Sequence, residues 1–409
     1  MRAADLLASR ADEFGKVETI DNGKPIFESA KIDMPAAAEC LSYFGECADK
    51  LYGDTFPGRP DAFLMTVREP VGVVGAITPW NFPLLQAMWK IAPALALGNA
   101  VVLKPASVTP LTALMFGELL AEAGLPPGAY NVVPGPGPVV GQAMAEHPGI
   151  DKISFTGETE TGKSILRAAA GTVKRVSMEL GGKSPNIVFA DADLDAAAKG
   201  AINAIFYGKG ELCSAGSRLL VEESIHDALI EKVVDRAKKM APGDPLDPKT
   251  RLGSLVSEKQ RSNVARYVES GKSEGARLVA GGNAASVNGK GAFFEATVFD
   301  GVTPQMTIAR EEIFGPVLAT LTFRSEEEAV TVGNSTIYGL AAAVWTRDVK
   351  KALRAARALK AGTVWINAYN FYDPGLPFGG YKQSGFGRER GHHALEEYTQ
   401  VKSIWVDLT

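Results

Sequence analysis

Short apolar runs recur along the chain, separated by stretches with helical spacing, and this alternation restricts the fold more than any other feature. Val71–Ile77, Ala100–Leu103, Asn131–Val133, Ile153–Phe155 and Arg175–Met178 form a first series. Asn186–Phe189 and Arg218–Val221 begin a second, with helices expected at about 193–206 and 225–240. Runs apolar at consecutive positions are what strands covered on both faces require, the condition of a parallel sheet between helices. Within the first series the spacing predicts helices near 138–146 and 159–169. Another is opened by Thr109-Pro110, with Leu111, Leu114, Met115 and Leu119 on one face, and is stopped by Gly124 and Pro126. The expected fold class is α/β, doubly wound. At about 100–200 residues per domain, a 409-residue chain divides into two or three domains.

Charge and cysteine usage exclude several classes. Lys and Arg number 43 against 47 Asp and Glu, so the net charge of −4 supplies no basic field for nucleic acid or an anionic membrane. No apolar run approaches the roughly 18 residues of a membrane-spanning helix, and the charged start MRAADLLASRADEFG holds no signal-peptide core. Three cysteines cannot build a disulfide framework and suit a reducing, cytoplasmic compartment. The four histidines, His147, His226, His392 and His393, show no metal-ligand spacing, so no metal is expected. Leu6, Leu7, Phe14 and Val17 share a helix face, yet that helix begins almost at Met1 without a capping residue; a preceding segment is the expectation.

Some motifs mislead. Gly271-Lys-Ser-Glu-Gly275 spells the nucleophile elbow but has a helical stretch before it and a strand after it, the reverse of the required order. Gly135–Gly141 is misspaced for a dinucleotide fingerprint. Gly157-Glu-Thr-Glu-Thr-Gly162-Lys163-Ser164 matches the phosphate-binding loop of nucleoside triphosphatases, follows a strand and opens a helix. Glu158 and Glu160 stand where triphosphate oxygens would lie and would repel them, which leaves a less charged pyrophosphate as the ligand such a helix start could take.

Cys213 differs in kind. It sits in Gly210-Glu-Leu-Cys-Ser-Ala-Gly216, between a helix and a strand, flanked by small residues that admit a small molecule. Alone, it reads as a buried structural thiol. Its company changes that reading. Glu179 precedes paired glycines in Met178-Glu-Leu-Gly-Gly-Lys-Ser184 and suits a general base if partly desolvated. Asn81, after the rigid Thr78-Pro-Trp80 turn, offers a neutral amide donor for an oxyanion. Together the three specify attack on a carbonyl, stabilisation of the alkoxide and later activation of water.

The segments TPWNFP (78–83), VLKPAS (102–107), FTGETETG (155–162), MELGGKSP (178–185), GELCSAGSR (210–218), EEIFGPV (311–317) and PFGGYKQSGFGRERG (377–391) resemble the aldehyde dehydrogenase superfamily in order and almost from end to end. The resemblance implies NAD(P)-dependent oxidation of an aldehyde to a carboxylic acid through a Cys213 thiohemiacetal and thioester, with Glu179 as base and Asn81 as oxyanion donor. It assigns cofactor contacts to Trp80, Lys104, Ser107, Gly157, Glu158, Gly162, Leu180, Glu312 and Phe314. It implies a Rossmann-like cofactor domain over 1–180, with an oligomerisation hairpin at 51–70, and a catalytic domain over 181–385. The remainder, 386–409, would be a C-terminal helix and oligomerisation strand, with 51–70 and Val401–Asp407 pairing across subunits of a homodimer or homotetramer.

The sequence departs from the family pattern in places. Ser107 stands three residues after Lys104, where NAD-preferring members often carry Glu, so the cofactor is NAD or NADP. Glu158 puts a charge near the expected pyrophosphate, and Leu212 is bulky beside the nucleophile. Family members carry further elements before the opening helix, which makes a catalytically silent, shortened homologue the main alternative and a triphosphatase a remote one. The expected substrate pocket is Phe82, Leu85, Met88, Trp89, Leu212, Ser214, Tyr372 and Phe378, a lining for apolar or aromatic aldehydes. Phe82, Trp89 and Tyr372 could also cage a quaternary ammonium such as betaine aldehyde.

Overall fold

The computed structural model describes residues 1–409, and the alternating pattern resolves into two mainly parallel sheets and two small antiparallel ones. The first large sheet runs Gly385–Phe386, Arg175–Glu179, Lys152–Thr156, Val73–Ile77, Ala100–Lys104, Tyr130–Val132, parallel except for the first. Val73–Ile77 is flanked by Ala100–Lys104 on one side and by the later Lys152–Thr156 on the other, so the winding reverses there. In such sheets ligands bind beyond the carboxyl ends of the strands at the reversal. Those ends lead into Thr78–Asn81, Lys104, Gly157 and Glu179.

The second large sheet runs Arg277–Ala280, Thr297–Asp300, Val317–Phe323, Arg218–Glu222, Pro185–Val188, Ala341–Trp345, Thr363–Ile366, antiparallel only at Arg277–Ala280. The segments entering its strands at their amino ends carry Leu180–Ser184, Leu212–Ser217 and Glu311–Pro316. The site therefore forms where carboxyl ends of the first sheet meet amino ends of the second.

The opening pattern forms two helices, Arg2–Ser9 and Ala11–Asn22, broken at Arg10; Met1 supplies no side-chain cap. Leu7 and Phe14 are fully buried in the same core as Phe44, Leu84, Ile91 and Phe116.

Two expectations are corrected. Helix Leu111–Ala123 buries Thr112, Ala113, Phe116, Leu119 and Leu120, whereas Leu111 and Leu114 are 43% and 42% exposed. The cause is tertiary: the Tyr130 hydroxyl donates to the Ala113 carbonyl at 2.9 Å and its ring meets Phe116 edge-on, fixing which face turns inward. Nor does Thr109 cap this helix, since its hydroxyl has no partner; the Leu111 N–H donates instead to Asp21 of the second helix at 3.0 Å.

The terminal strands close a small antiparallel sheet. Ala62–Pro70 and Thr399–Asp407 pair with each other inside one chain, from Thr399 opposite Pro70 to Asp407 opposite Ala62. One edge of Thr399–Asp407 stays unpaired. No helix is long and apolar enough to cross a membrane.

Candidate active site

Cys213 lies on the connection between helix Leu194–Phe206 and strand Arg218–Glu222. The backbone there turns through Gly208, Lys209 and Gly210, all left-handed at φ 58°, 64° and 75°. Lys209 is the non-glycine among them, and its side chain explains the placement. Its ammonium pairs with Glu211 at 2.7 Å and donates to Asn22 Oδ1 at 2.8 Å, while the Gly208 N–H donates to Glu28 at 3.1 Å. The loop bearing Cys213 is thus anchored to the opening segment by buried polar and charged groups.

Burial pushes the Cys213 thiol well above its ordinary pKa, and the charges of Glu179 and Glu312 add to the rise; the backbone N–H groups of Ser214 and Cys213 oppose it. Glu179 closes strand Arg175–Glu179, 2% exposed, and neither of its carboxylate oxygens has a hydrogen-bond partner. Its pKa stands well above the usual carboxyl range, raised by burial, then by Glu389 and Glu312, and restrained by Lys90 and the Cys213 thiol. A carboxylate without partners beside a thiol is poised to take a proton. The Asn81 amide donates to the Glu211 carbonyl at 2.9 Å, which ties the oxyanion candidate to the cysteine loop and leaves its second N–H free.

Paired glycines make this convergence possible. A Cβ on Gly182 would sit 2.3 Å from the Cys213 carbonyl oxygen, and one on Gly181 2.1 Å from Glu312 Oε2. The Gly182 N–H donates to Glu312 at 3.0 Å. Burial lifts the Glu312 carboxyl to about 7, against the pull of that N–H and of Lys183.

The expected cofactor residues gather around the same crevice. Lys104 is 4% exposed with its ammonium donating to the Pro105 carbonyl at 2.9 Å, and burial lowers its pKa. The Ser107 hydroxyl is exposed and donates to the Gly135 carbonyl at 2.7 Å. Trp80 and Phe314 meet edge to face, centroids 5.1 Å apart. The Gly157 N–H donates to the Glu179 carbonyl at 3.1 Å, Gly162 packs on Leu180, and Glu158 is exposed.

A cavity of about 840 Å³ reaches Cys213, lined among others by Phe82, Leu85, Trp89, Leu212, Tyr372 and Phe378. Met88 and Ser214 lie outside this lining: Met88 is fully buried in the first core, and the Ser214 hydroxyl shares a 2.8 Å hydrogen bond with Tyr372. Three residues not foreseen from the sequence join the site. Lys90 and Glu389 form a buried ion pair whose charges reach Glu179, and Arg390 lines the cavity. Each looks like an ordinary surface charge in sequence; only the apolar surroundings of Lys90 hinted otherwise.

The misleading motifs dissolve in three dimensions. Lys163 pairs with Glu160 of its own helix at 2.7 Å. Ser273 is still helical, its hydroxyl donating to the Ser270 carbonyl. No group of His, Cys, Asp and Glu is arranged to hold a metal.

Comparison with known proteins bears on this geometry. A family model described as "Aldehyde dehydrogenase family" matches residues 1–404. Human retinaldehyde dehydrogenase 3 is 50% identical over 406 residues, covering 99% of this chain and 79% of that protein. Betaine aldehyde dehydrogenase of Bacillus subtilis is 49% identical over 408 residues, covering 99% of this chain and 83% of that protein. The solved NAD+ complex of an aldehyde dehydrogenase from Bacillus cereus superposes with a TM-score of 0.98 at 48% identity, covering 100% of this chain and 83% of that one.

Proposed function

The chain belongs to the aldehyde dehydrogenase family and oxidises aldehydes as a nicotinamide-dependent dehydrogenase, and from that premise we propose the route by which its residues do so. The observation that carries the route is the unpartnered carboxylate of Glu179 beside the Cys213 thiol. Glu179 takes the thiol proton, and Cys213 Sγ adds to the aldehyde carbon to give a thiohemiacetal. The developing oxyanion is held by the free N–H of the Asn81 amide and by the Cys213 backbone N–H. Once the hydride has left and Glu179 has released the thiol proton to solvent, Glu179 takes a proton from water, which attacks the thioester; the Cys213 thiolate leaves and the carboxylic acid is freed.

The residues present fit a dinucleotide. The crevice lies at the winding reversal, Gly181 leaves room against Glu312 that a Cβ would fill, and Lys104 keeps N–H donors beyond its one carbonyl bond. Lys104 and Glu312 would hold the ribose hydroxyls, Trp80, Phe314 and Leu180 would pack near the rings, and the helix start at Gly157 and Gly162 would face the pyrophosphate. When bound, NAD or NADP supplies the hydride acceptor. Glu158, being exposed, can turn away from the phosphates, and Ser107 leaves no carboxylate to reject the ribose phosphate of NADP.

The proposed working form is a cytoplasmic homodimer or homotetramer that uses the free edge of Thr399–Asp407. In domain terms, 1–180 binds the dinucleotide, 181–385 carries the nucleophile, and Gly385–Phe386 returns to the first sheet beside Glu179. The test is NAD(P)H formation by purified protein with benzaldehyde or propanal, beside Cys213→Ala. Turnover that survives in Cys213→Ala would overturn the route.

A further inference from the structure

Arg390 is 6% exposed, yet its guanidinium makes no ion pair, and its buried Nε has no hydrogen-bond partner. Nearly every other deeply buried cation of this chain is satisfied. Lys24 pairs with Glu18 and Asp33, Lys90 with Glu389, Lys209 with Glu211, and Arg218 donates to three backbone carbonyls. An unpaired buried cation is expensive, and such groups concentrate at ligand sites. Arg390 also holds φ at 63°, a conformation that non-glycine residues seldom adopt.

Its position gives the vacancy a meaning. Arg390 lines the cavity that ends at Cys213, with its guanidinium 5.1 Å from the Trp89 ring centroid and 5.4 Å from that of Tyr372. The Tyr372 hydroxyl bonds Ser214, the neighbour of the nucleophile, so this one ring spans from the cysteine loop to the arginine. The titratable groups around Arg390 are Cys40, Tyr372, Asp373 and Glu39, of which Asp373 and Glu39 carry charge. Asp373 and Glu39 are both exposed, and Asp373 already accepts from the Gly375 N–H. Cys40 stays a neutral thiol, its pKa raised to about 12 by burial. Further out, Lys199, Arg236 and Arg251 line the same cavity, as do Glu28, Asp33 and Glu39, of which Asp33 is already paired with Lys24.

The aromatic rings that could have caged a quaternary ammonium are taken. Arg390 occupies Trp89 and Tyr372, and Lys24 lies 4.5 Å from the Phe82 ring centroid. At these three rings a cationic substrate would meet like charge.

Building on the dehydrogenase reading, we propose that the cavity selects aldehydes that carry a carboxylate about one aromatic ring away from the carbonyl, with Arg390 as the group that receives it. The aldehyde end reaches Cys213, the body lies along Tyr372 and Trp89, and the guanidinium fork takes the carboxylate oxygens.

Binding and turnover test the two readings separately. Para-hydroxymethylbenzoate and benzyl alcohol, unreactive towards the thiol, are compared by calorimetry on the intact protein. The carboxylate compound is expected to bind about tenfold or more tightly. In Arg390→Met that ratio collapses, and Arg390→Lys restores part of it. Equal binding of the two alcohols by the unmodified protein overturns the proposal, whether or not the variants fold. Turnover of para-formylbenzoate against benzaldehyde should show the same preference in kcat/KM. Failure to turn over any aldehyde would count against the dehydrogenase route and leave the binding ratio to judge Arg390.

Discussion

The side chain of Asn22 joins Lys209 to Trp80: its Oδ1 accepts from the Lys209 ammonium at 2.8 Å while its Nδ2 donates to the Trp80 carbonyl at 2.6 Å. One amide thereby ties the loop that carries Cys213, the proposed nucleophile, to the turn that carries Asn81.

Replacing it tests that bridge. Asn22→Ala leaves a buried ammonium and a buried carbonyl short of partners, which should cost about 2–3 kcal/mol of stability. Thermal unfolding should show the loss, and kcat should fall more than aldehyde KM rises. An unchanged melting temperature and kcat would refute the bridge.

Glu179 and Cys213 give a pH signature. Both ordinary pKa values are raised, so the productive deprotonated forms gain population as pH climbs, and kcat/KM should rise through neutrality into the alkaline range. Glu179→Gln should lower steady-state turnover by about 10²–10⁴-fold. A flat pH profile would count against Glu179 as the base.

Glu28 should make stability fall as pH rises. Its carboxyl is pushed up to about 8 by burial and by Asp33, from an ordinary value of 4.5. Between those values the folded chain holds a proton that the unfolded chain has released, so stability declines at up to about 1.4 kcal/mol per pH unit. Glu28→Gln keeps an acceptor for the Gly208 N–H and removes the titration. Its melting temperature should overtake that of the unmodified protein towards pH 8 (the value to which Glu28 is raised), and parallel curves would reject this account.

Gly182 should tolerate no side chain. The methyl of Gly182→Ala would meet the Cys213 carbonyl at 2.3 Å, and displacing the nucleophile by about 1 Å costs about 10²-fold in rate. Kinetics of the folded variant would show this as lost kcat, and full activity would mean that the loop can yield.

Ser107 should set cofactor tolerance. Ser107→Glu introduces a charge near the ribose and should reduce NADP efficiency relative to NAD by about tenfold, roughly 1.4 kcal/mol of repulsion. An unchanged ratio of the two kcat/KM values would place the ribose elsewhere.

Some of these relationships were legible in the chain and others were not. Strands such as Ala100–Lys104 and Lys152–Thr156 could be read because burial on both faces demands consecutive apolar residues. Helix Leu111–Ala123 was legible as an element but not in its orientation: nine of its residues are Leu, Met, Phe or Ala in positions that leave several apolar faces, and Tyr130 chose among them. Glu389 and Arg390 carried no local signal and Lys90 only that of its apolar neighbours, because a charge reveals its role only through what surrounds it.

The sequence by itself determined the winding of the sheets, the tight turns that carry Asn81, Glu179 and Cys213, and the family to which they point. These depend on local periodicity, on glycine and proline, and on a few side chains at fixed spacing. The tertiary structure alone decided that Glu179 would be without partners, that Asn22 would hold two distant loops together, and that Arg390 would face a cavity uncompensated. Burial and pairing are properties of the space between segments. No stretch of chain records them until the carboxyl ends of one sheet and the amino ends of the other close on the same site.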